Sequence, residues 1–218
     1  MRPKWFWAVA SGVSCALLFA TGCGSSAAHI RVLNAIPIQS SIDMLIDSKT
    51  IASSIPYGAA SGYSTVSSGS RHLQIQPSGS TPFVDQTITL SSGSSNTILT
   101  TASGATTLTD DNSAPASGDV KIRVINASSN LGSSDVYIAT SNTGLSASPS
   151  FSGVGVSTAT GYDAVAAGSY QVYFTEPGTT NIILSTSALS FSSGQIRTVV
   201  VLNGQTGGIT TSVLADVN

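Results

Sequence analysis

The sequence predicts an all-β protein, and three observations carry that prediction. The first is composition: 218 residues include 40 Ser, 24 Thr and 21 Gly, with 41% apolar residues but only 8% charged. Long helices need Ala, Glu, Lys, Leu and Arg in bulk, and disorder needs low hydrophobicity with high net charge. Short half-buried strands with small polar outer faces accept the mixture. The second is an apolar period of two in segment after segment, and the third is an internal repeat at a spacing of about a hundred residues.

The chain opens differently. Arg2 and Lys4 precede an apolar run from Ala8 to Ala20, followed by Thr21-Gly22-Cys23. A positive start, a short apolar stretch and a small-residue exit predict a secretory signal helix over residues 1–23, too short to span a bilayer comfortably. Leu18-Phe19-Ala20-Thr21-Gly22-Cys23 resembles the lipobox of bacterial lipoproteins, which implies that Cys23 is diacylated through its sulfur and becomes the mature N-terminus. Cys15 falls inside the signal, so the mature chain keeps one cysteine and no internal disulfide, and lipidation explains the single thiol. Gly24 to Ala28 reads as a short flexible tether. Gly24 directly after the cysteine resembles the lipoproteins sent to the outer membrane.

In the first copy of the repeat, Ile42, Met44 and Ile46 alternate with Asp43, Leu45 and Asp47, and Leu73 and Ile75 alternate with His72, Gln74 and Gln76. One face goes to a core and the other to water. Strands are predicted near 30–35, 42–47, 50–54, 62–66, 70–76, 83–90, 96–102 and 105–109, with turns such as Ser67-Ser68-Gly69 and Pro77-Ser78-Gly79 between them. In the second copy Tyr170, Val172 and Phe174 alternate with Gln171, Tyr173 and Thr175. Seven or eight short strands per copy predict two tandem immunoglobulin-like antiparallel β-sandwich domains. They occupy residues 29–112 and 119–218, joined by a polar, Pro/Gly-punctuated linker at 113–118. With Trp5 and Trp7 both in the signal and no cysteine pair, the cores must be held by Ile, Val, Leu, Phe and Tyr.

The copies match in detail. Ile30-Arg31-Val32-Leu33-Asn34-Ala35 returns as Ile122-Arg123-Val124-Ile125-Asn126-Ala127, and Asp43 as Asp135. Ser61-Gly62-Tyr63 answers Thr160-Gly161-Tyr162, Gly69-Ser70 answers Gly168-Ser169, and Thr97 answers Thr198. This set resembles the bacterial family named domain of unknown function 4397, whose members are typically secreted or lipid-anchored, often with the unit in tandem. The family commonly places a Pro-Asp-Ala-Pro type loop before the strand-opening Asp. Here that loop is Ile36 to Ser41 in one copy and Ser128 to Ser134 in the other, without the extra acid.

Chemistry is sparse. Nucleophilic catalysis needs a base beside its Ser or Cys; of the two histidines, His29 adjoins the tether and His72 lies on an outward strand face. Asp43 and Asp47 lie four residues apart on one strand, roughly 13 Å, too far for retaining glycosidic chemistry. Asp43 and Asp135, at equivalent places, are expected to accept backbone N–H bonds from the preceding loop. Asp110, Asp111 and Asp119, with Asn112, crowd the junction between domains, and hard oxygen ligands there form a weak calcium candidate, although the spacing matches no EF-hand loop. No cofactor motif is present. A net charge of −2 leaves no basic stripe for nucleic acid.

The expectation is therefore a non-enzymatic cell-envelope protein, lipid-anchored at the outer membrane, acting in binding, adhesion or envelope structure, with an envelope protein or polysaccharide as partner. The alternative is a carbohydrate-binding module, which predicts a row of exposed aromatics. Tyr57, Tyr137 and Tyr173 are the first places to look.

Overall fold

A computed structural model describes residues 26–141 and 143–217. The signal segment, Cys23 and the first two tether residues lie outside the described residues.

The first half builds eight strands: β1 (Ala27–Asn34), β2 (Ser41–Ile46), β3 (Lys49–Pro56), β4 (Ser64–Ser67), β5 (Gly69–Pro77), β6 (Val84–Leu90), β7 (Ser95–Thr101) and β8 (Gly104–Asp110). They form two four-stranded sheets, ordered β4-β1-β7-β8 and β3-β2-β5-β6. The second half follows with β9 (Asp119–Asn126), β10 (Ser134–Thr140), β11 (Phe151–Val154), β12 (Thr158–Ala159), β13 (Asp163–Ala166), β14 (Gly168–Thr175), β15 (Ile182–Ser185), β16 (Leu189–Phe191), β17 (Ile196–Asn203) and β18 (Ile209–Val217). It pairs them in the corresponding order: β12 and β13 both flank β9, which adjoins β17 and then β18, while β11-β10-β14-β15 form the fourth sheet with β16 also on β14.

The sheets are not wholly antiparallel. β1 runs parallel to β7 and β9 parallel to β17, so two of the four sheets are mixed. The chain crosses to the facing sheet between β1 and β2, and the pair β1 and β7 meet only after β2 to β6 have been laid down. Ala27 and Ala28 belong to β1, and Ala28 is fully buried, so the tether ends earlier than residue 28.

Alternation explains most of the packing. Ile30 and Val32 of β1, Ile42 and Met44 of β2, Leu73 and Ile75 of β5, and Ile98 of β7 interdigitate as one core. In the second half Ile122 and Val124 of β9, Val136 of β10, Val172 and Phe174 of β14, and Val199 and Val201 of β17 form the corresponding core. The expectation that the other face meets water fails for β1, β7, β9 and β17. Leu33, Leu99, Ile125, Val200 and Leu202, on those opposite faces, pack against one another in a third core between the halves. Four strands are thus buried on both sides, and the halves share apolar surface rather than hanging from a linker.

Candidate functional site

The shared core holds a charge network. Arg31 and Arg123 stand between the apolar residues of β1 and β9 and are each 1% exposed. Arg31 Nη2 reaches Asp216 Oδ1 of the second half at 2.7 Å, and Arg123 Nη2 reaches Asp110 Oδ1 of the first half at 2.5 Å. Each arginine donates from Nε to a threonine of its own half, Thr97 or Thr198, at 2.8 Å. Those hydroxyls donate to Asp110 and Asp216 at 2.7 Å. Tyr63 donates to Asp110 at 2.6 Å and Tyr162 to Asp216 at 2.7 Å, while each tyrosine ring lies 4.8 Å beneath the guanidinium of its own half. Burial pushes both phenols well above their ordinary range, with the neighbouring aspartates adding to the effect and the arginines opposing it. Burial acts to lower the Arg31 pKa, but Asp216, Tyr63 and Asp110 together outweigh it and the net displacement is upward.

The rest of the repeated motif is equally committed. Asn34 donates to the carbonyls of Gln39 and Ile55 and accepts from Ile36 N; Asn126 does the same with Gly132, Val154 and Ser128. Both asparagines are fully buried and close the loop that follows the strand. The hydroxyls of Ser61 and Thr160 accept from Val32 N and Val124 N. Asp43 accepts from Ser54 N, and Asp135 from Gly153 N and Gly178 N, all at 2.7 Å. The expectation of backbone N–H partners holds, but they come from downstream segments, not the preceding loop. Ser54 and Gly153 share a positive φ, 54° and 61°, so each aspartate pins a left-handed residue on the neighbouring chain.

The acids at the junction are not brought together. Asp110 ends β8, buried against Arg123; Asp111 accepts instead from Lys121 Nζ at 2.6 Å and from Ser113, the lysine first among the causes that bring its pKa down to about 2. Asp119 opens β9. Among the described residues no group of three His, Cys, Asp or Glu is placed to hold a metal.

The aromatic candidates are also mostly enclosed. Tyr137 and Tyr173 pack with Ala139 under Leu145, because the segment after β10 covers the outer face of that sheet. Tyr57 is half-buried and its hydroxyl donates to the Asn203 carbonyl. His72 is outward as expected, bonded at 2.6 Å to Asp85, whose other oxygen accepts from Gln74; the hydroxyl on His29 is that of Thr65.

Tyr57 leads to a feature that the sequence did not single out. At the end of the molecule remote from Ala27, loops of both halves meet: Gln205 Nε2 donates to Pro37 O and the Tyr57 hydroxyl to Asn203 O, while within the second half Ser128 and Asn130 both donate to Asn203 Oδ1. Between them opens a cleft of about 550 Å³ walled by Tyr57, Gly58, Leu202 and the Gly204–Thr206 turn. Gly58 has φ +75°, and a Cβ there would sit 3.3 Å from Leu202 Cδ1, so the close approach of the halves favours glycine. Ile38, 86% exposed, projects from the same end.

The model of a family described as domain of unknown function 4397 matches residues 28–137. The chain belongs to the DUF4397 family. The matched stretch runs from the second residue of β1 through β9 and on to Tyr137 and contains Arg31, Asn34, Asp43, Tyr63, Thr97, Asp110, Arg123 and Asp135, while Tyr162, Thr198 and Asp216 of the seam lie beyond it. No functionally curated protein matches this sequence. Among solved structures, a streptococcal virulence factor described for alpha-glucan binding is 12% identical with a TM-score of 0.28, over 84% of this chain and 96% of that one. A Bacteroides fragilis protein described as a putative cell adhesion protein is 9% identical with a TM-score of 0.24, over 81% and 84%. The Bacillus anthracis TIE protein is 11% identical with a TM-score of 0.27, over 81% of this chain and 34% of that one. At these scores the likeness assigns no ligand to this DUF4397 chain.

Proposed function

We propose that this chain is a non-catalytic, lipid-anchored envelope protein in which two copies of the DUF4397 unit act as one rigid body for binding or adhesion. The observation that carries the reading is the reciprocal Arg31–Asp216 and Arg123–Asp110 pairing buried between the halves. Tandem domains ordinarily move relative to one another unless their interface is large and apolar. Here a shared apolar core and four interlocked charges oppose a hinge. The motif residues are spent on that rigidity, and no serine or cysteine is hydrogen-bonded to either histidine among the described residues.

Ala27 begins β1, and β1 and β9 both run toward the cleft-bearing end. A tether at Cys23 therefore sets the Tyr57–Gly204 cleft and Ile38 farthest from the anchor, where an envelope protein or a polysaccharide can reach them. With the tyrosines largely enclosed, a polysaccharide would be held by hydroxyls and backbone groups rather than by a stacked aromatic row.

Two measurements test this. Radiolabelled palmitate should enter the protein in cells and be lost on Cys23→Ser; no label in the parent overturns the anchor. Protease added to intact cells, with a periplasmic marker as control, reports which side the domains face: digestion with the marker intact favours adhesion or an extracellular polymer, and protection favours a periplasmic partner. A glycan array probed with the chain from Gly24 onward separates polysaccharide from protein partners.

A further inference from the structure

At the anchor end lies a second groove, of about 440 Å³, beside the start of β1 and the β2–β3 turn. Its charged side chains are Lys49, Arg71 and Asp47. Arg71 Nη1 bonds Asp47 Oδ2 at 3.0 Å, but Arg71 Nε is shielded from solvent and has no hydrogen-bond partner among the described residues. Asp47 is further occupied by His72 N at 3.0 Å, and Lys49 is exposed with no ion pair among the described residues. The groove thus combines a guanidinium shared with Asp47, a free ammonium, the hydroxyls of Ser26, Thr65 and Ser67, and an apolar flank of Ile46, Ile51 and Val66.

We propose that this groove seats the phosphate of an anionic phospholipid headgroup. A phosphate oxygen pairs with Lys49 and with the Arg71 guanidinium, and the apolar flank takes the glycerol end of the lipid. The occupant follows from position. This inference rests on the Cys23 tether proposed above: two residues separate Cys23 from Ser26, and a fully extended chain of that length spans roughly 10 Å. That holds the groove within about one Debye length of the bilayer surface, where anionic headgroups attract basic side chains. Docked this way, the headgroup contact fixes the orientation of the rigid body as well as its attachment.

The test uses the chain from Gly24 onward, which carries no acyl group but retains the whole described fold, since every strand and core cluster falls between Ala27 and Val217. Co-sedimentation is measured with vesicles of phosphatidylcholine alone and of phosphatidylcholine with phosphatidylglycerol, and inorganic phosphate is titrated separately. Binding is expected on the phosphatidylglycerol vesicles, weakening with salt. Lys49→Ala and Arg71→Gln should each lower it about fivefold. Asp47→Asn should raise it, because asparagine suits the φ of 49° while removing the competing charge. Equal binding to both vesicles, no binding, or binding unchanged by Lys49→Ala overturns the proposal; the exposed Lys49 keeps that arm free of folding effects. Saturable binding of inorganic phosphate without vesicle preference also overturns the lipid assignment. Acylation is read independently by the mass of the protein from membranes. An acylated Cys23 without vesicle binding removes the groove and leaves the tether; vesicle binding with an unmodified Cys23 removes the tether and leaves the groove.

Discussion

Replacing Arg123 with methionine tests the seam most directly. Methionine keeps much of the apolar stem but leaves Asp110 buried without its closest cation. Breaking a buried pair from one side costs about 3 to 5 kcal/mol because the remaining charge is uncompensated. Here Arg31 Nε still lies 4.0 Å from Asp110, which places the electrostatic loss at the low end of that range. Loss of the contact with the Tyr162 ring adds up to about 1 kcal/mol. The expected total is about 3 to 4 kcal/mol, or a fall in Tm of about 10 °C for a chain of this size. Because Trp5 and Trp7 both lie in the signal segment, unfolding in urea is best followed by far-ultraviolet circular dichroism. Asp110→Leu added to Arg123→Met should recover about 2 kcal/mol, since the second change removes the stranded charge. A cost below about 1 kcal/mol, or a parent protein that unfolds in two separate steps, would refute the shared seam.

Three further outcomes follow from the same geometry. Tyr63 and Tyr162 have folded pKa values raised above the ordinary 10.0, so their contribution is complete below pH 10.0 and is lost as pH rises beyond it; Tyr63→Phe with Tyr162→Phe should flatten the alkaline arm of a Tm against pH profile. Asp135→Ala strands the N–H groups of Gly153 and Gly178 and should cost about 3 kcal/mol in urea denaturation, while Asp43→Ala, at a half-buried site, should cost about 1. Asp111 is held down to about 2 from an ordinary 3.8, so its contribution is present above 3.8 and lost as pH falls toward 2; since it is largely exposed, Asp111→Asn should cost only about 0.5 kcal/mol at neutral pH, a difference that vanishes in acid melts.

The strands were legible because alternation and turn chemistry act locally: Ile42, Met44 and Ile46 face inward as their spacing requires, and Ser68-Gly69 marks the turn from β4 into β5, where Gly69 has φ +94°. The seam was not, because period two assigns a residue to one of two faces without saying what covers the second. Arg31 and Leu33 share a face, and water was the ordinary expectation for an arginine. A signal was nonetheless present, in that Arg, Thr and Tyr recur together in both copies while standing beside runs of Ile and Val. Asp216 lies 185 residues from Arg31, and no spacing rule reaches that far. Whether Tyr137 and Tyr173 are exposed or buried was open for a similar reason, since Leu145 covers them from a loop with no periodicity.

The crossed pairs also have a grammar of their own. Each half supplies one arginine and one aspartate, and each arginine answers the aspartate of the other half. In an assembly of separate chains, such a rule, in which i meets j and j meets i, defines a two-fold isologous interface. This polypeptide is therefore built like a homodimer whose partners have been joined end to end. A half expressed alone retains both complementary members of the contact, Arg31 with Asp110 or Arg123 with Asp216, and so presents a surface matched to a second copy of itself.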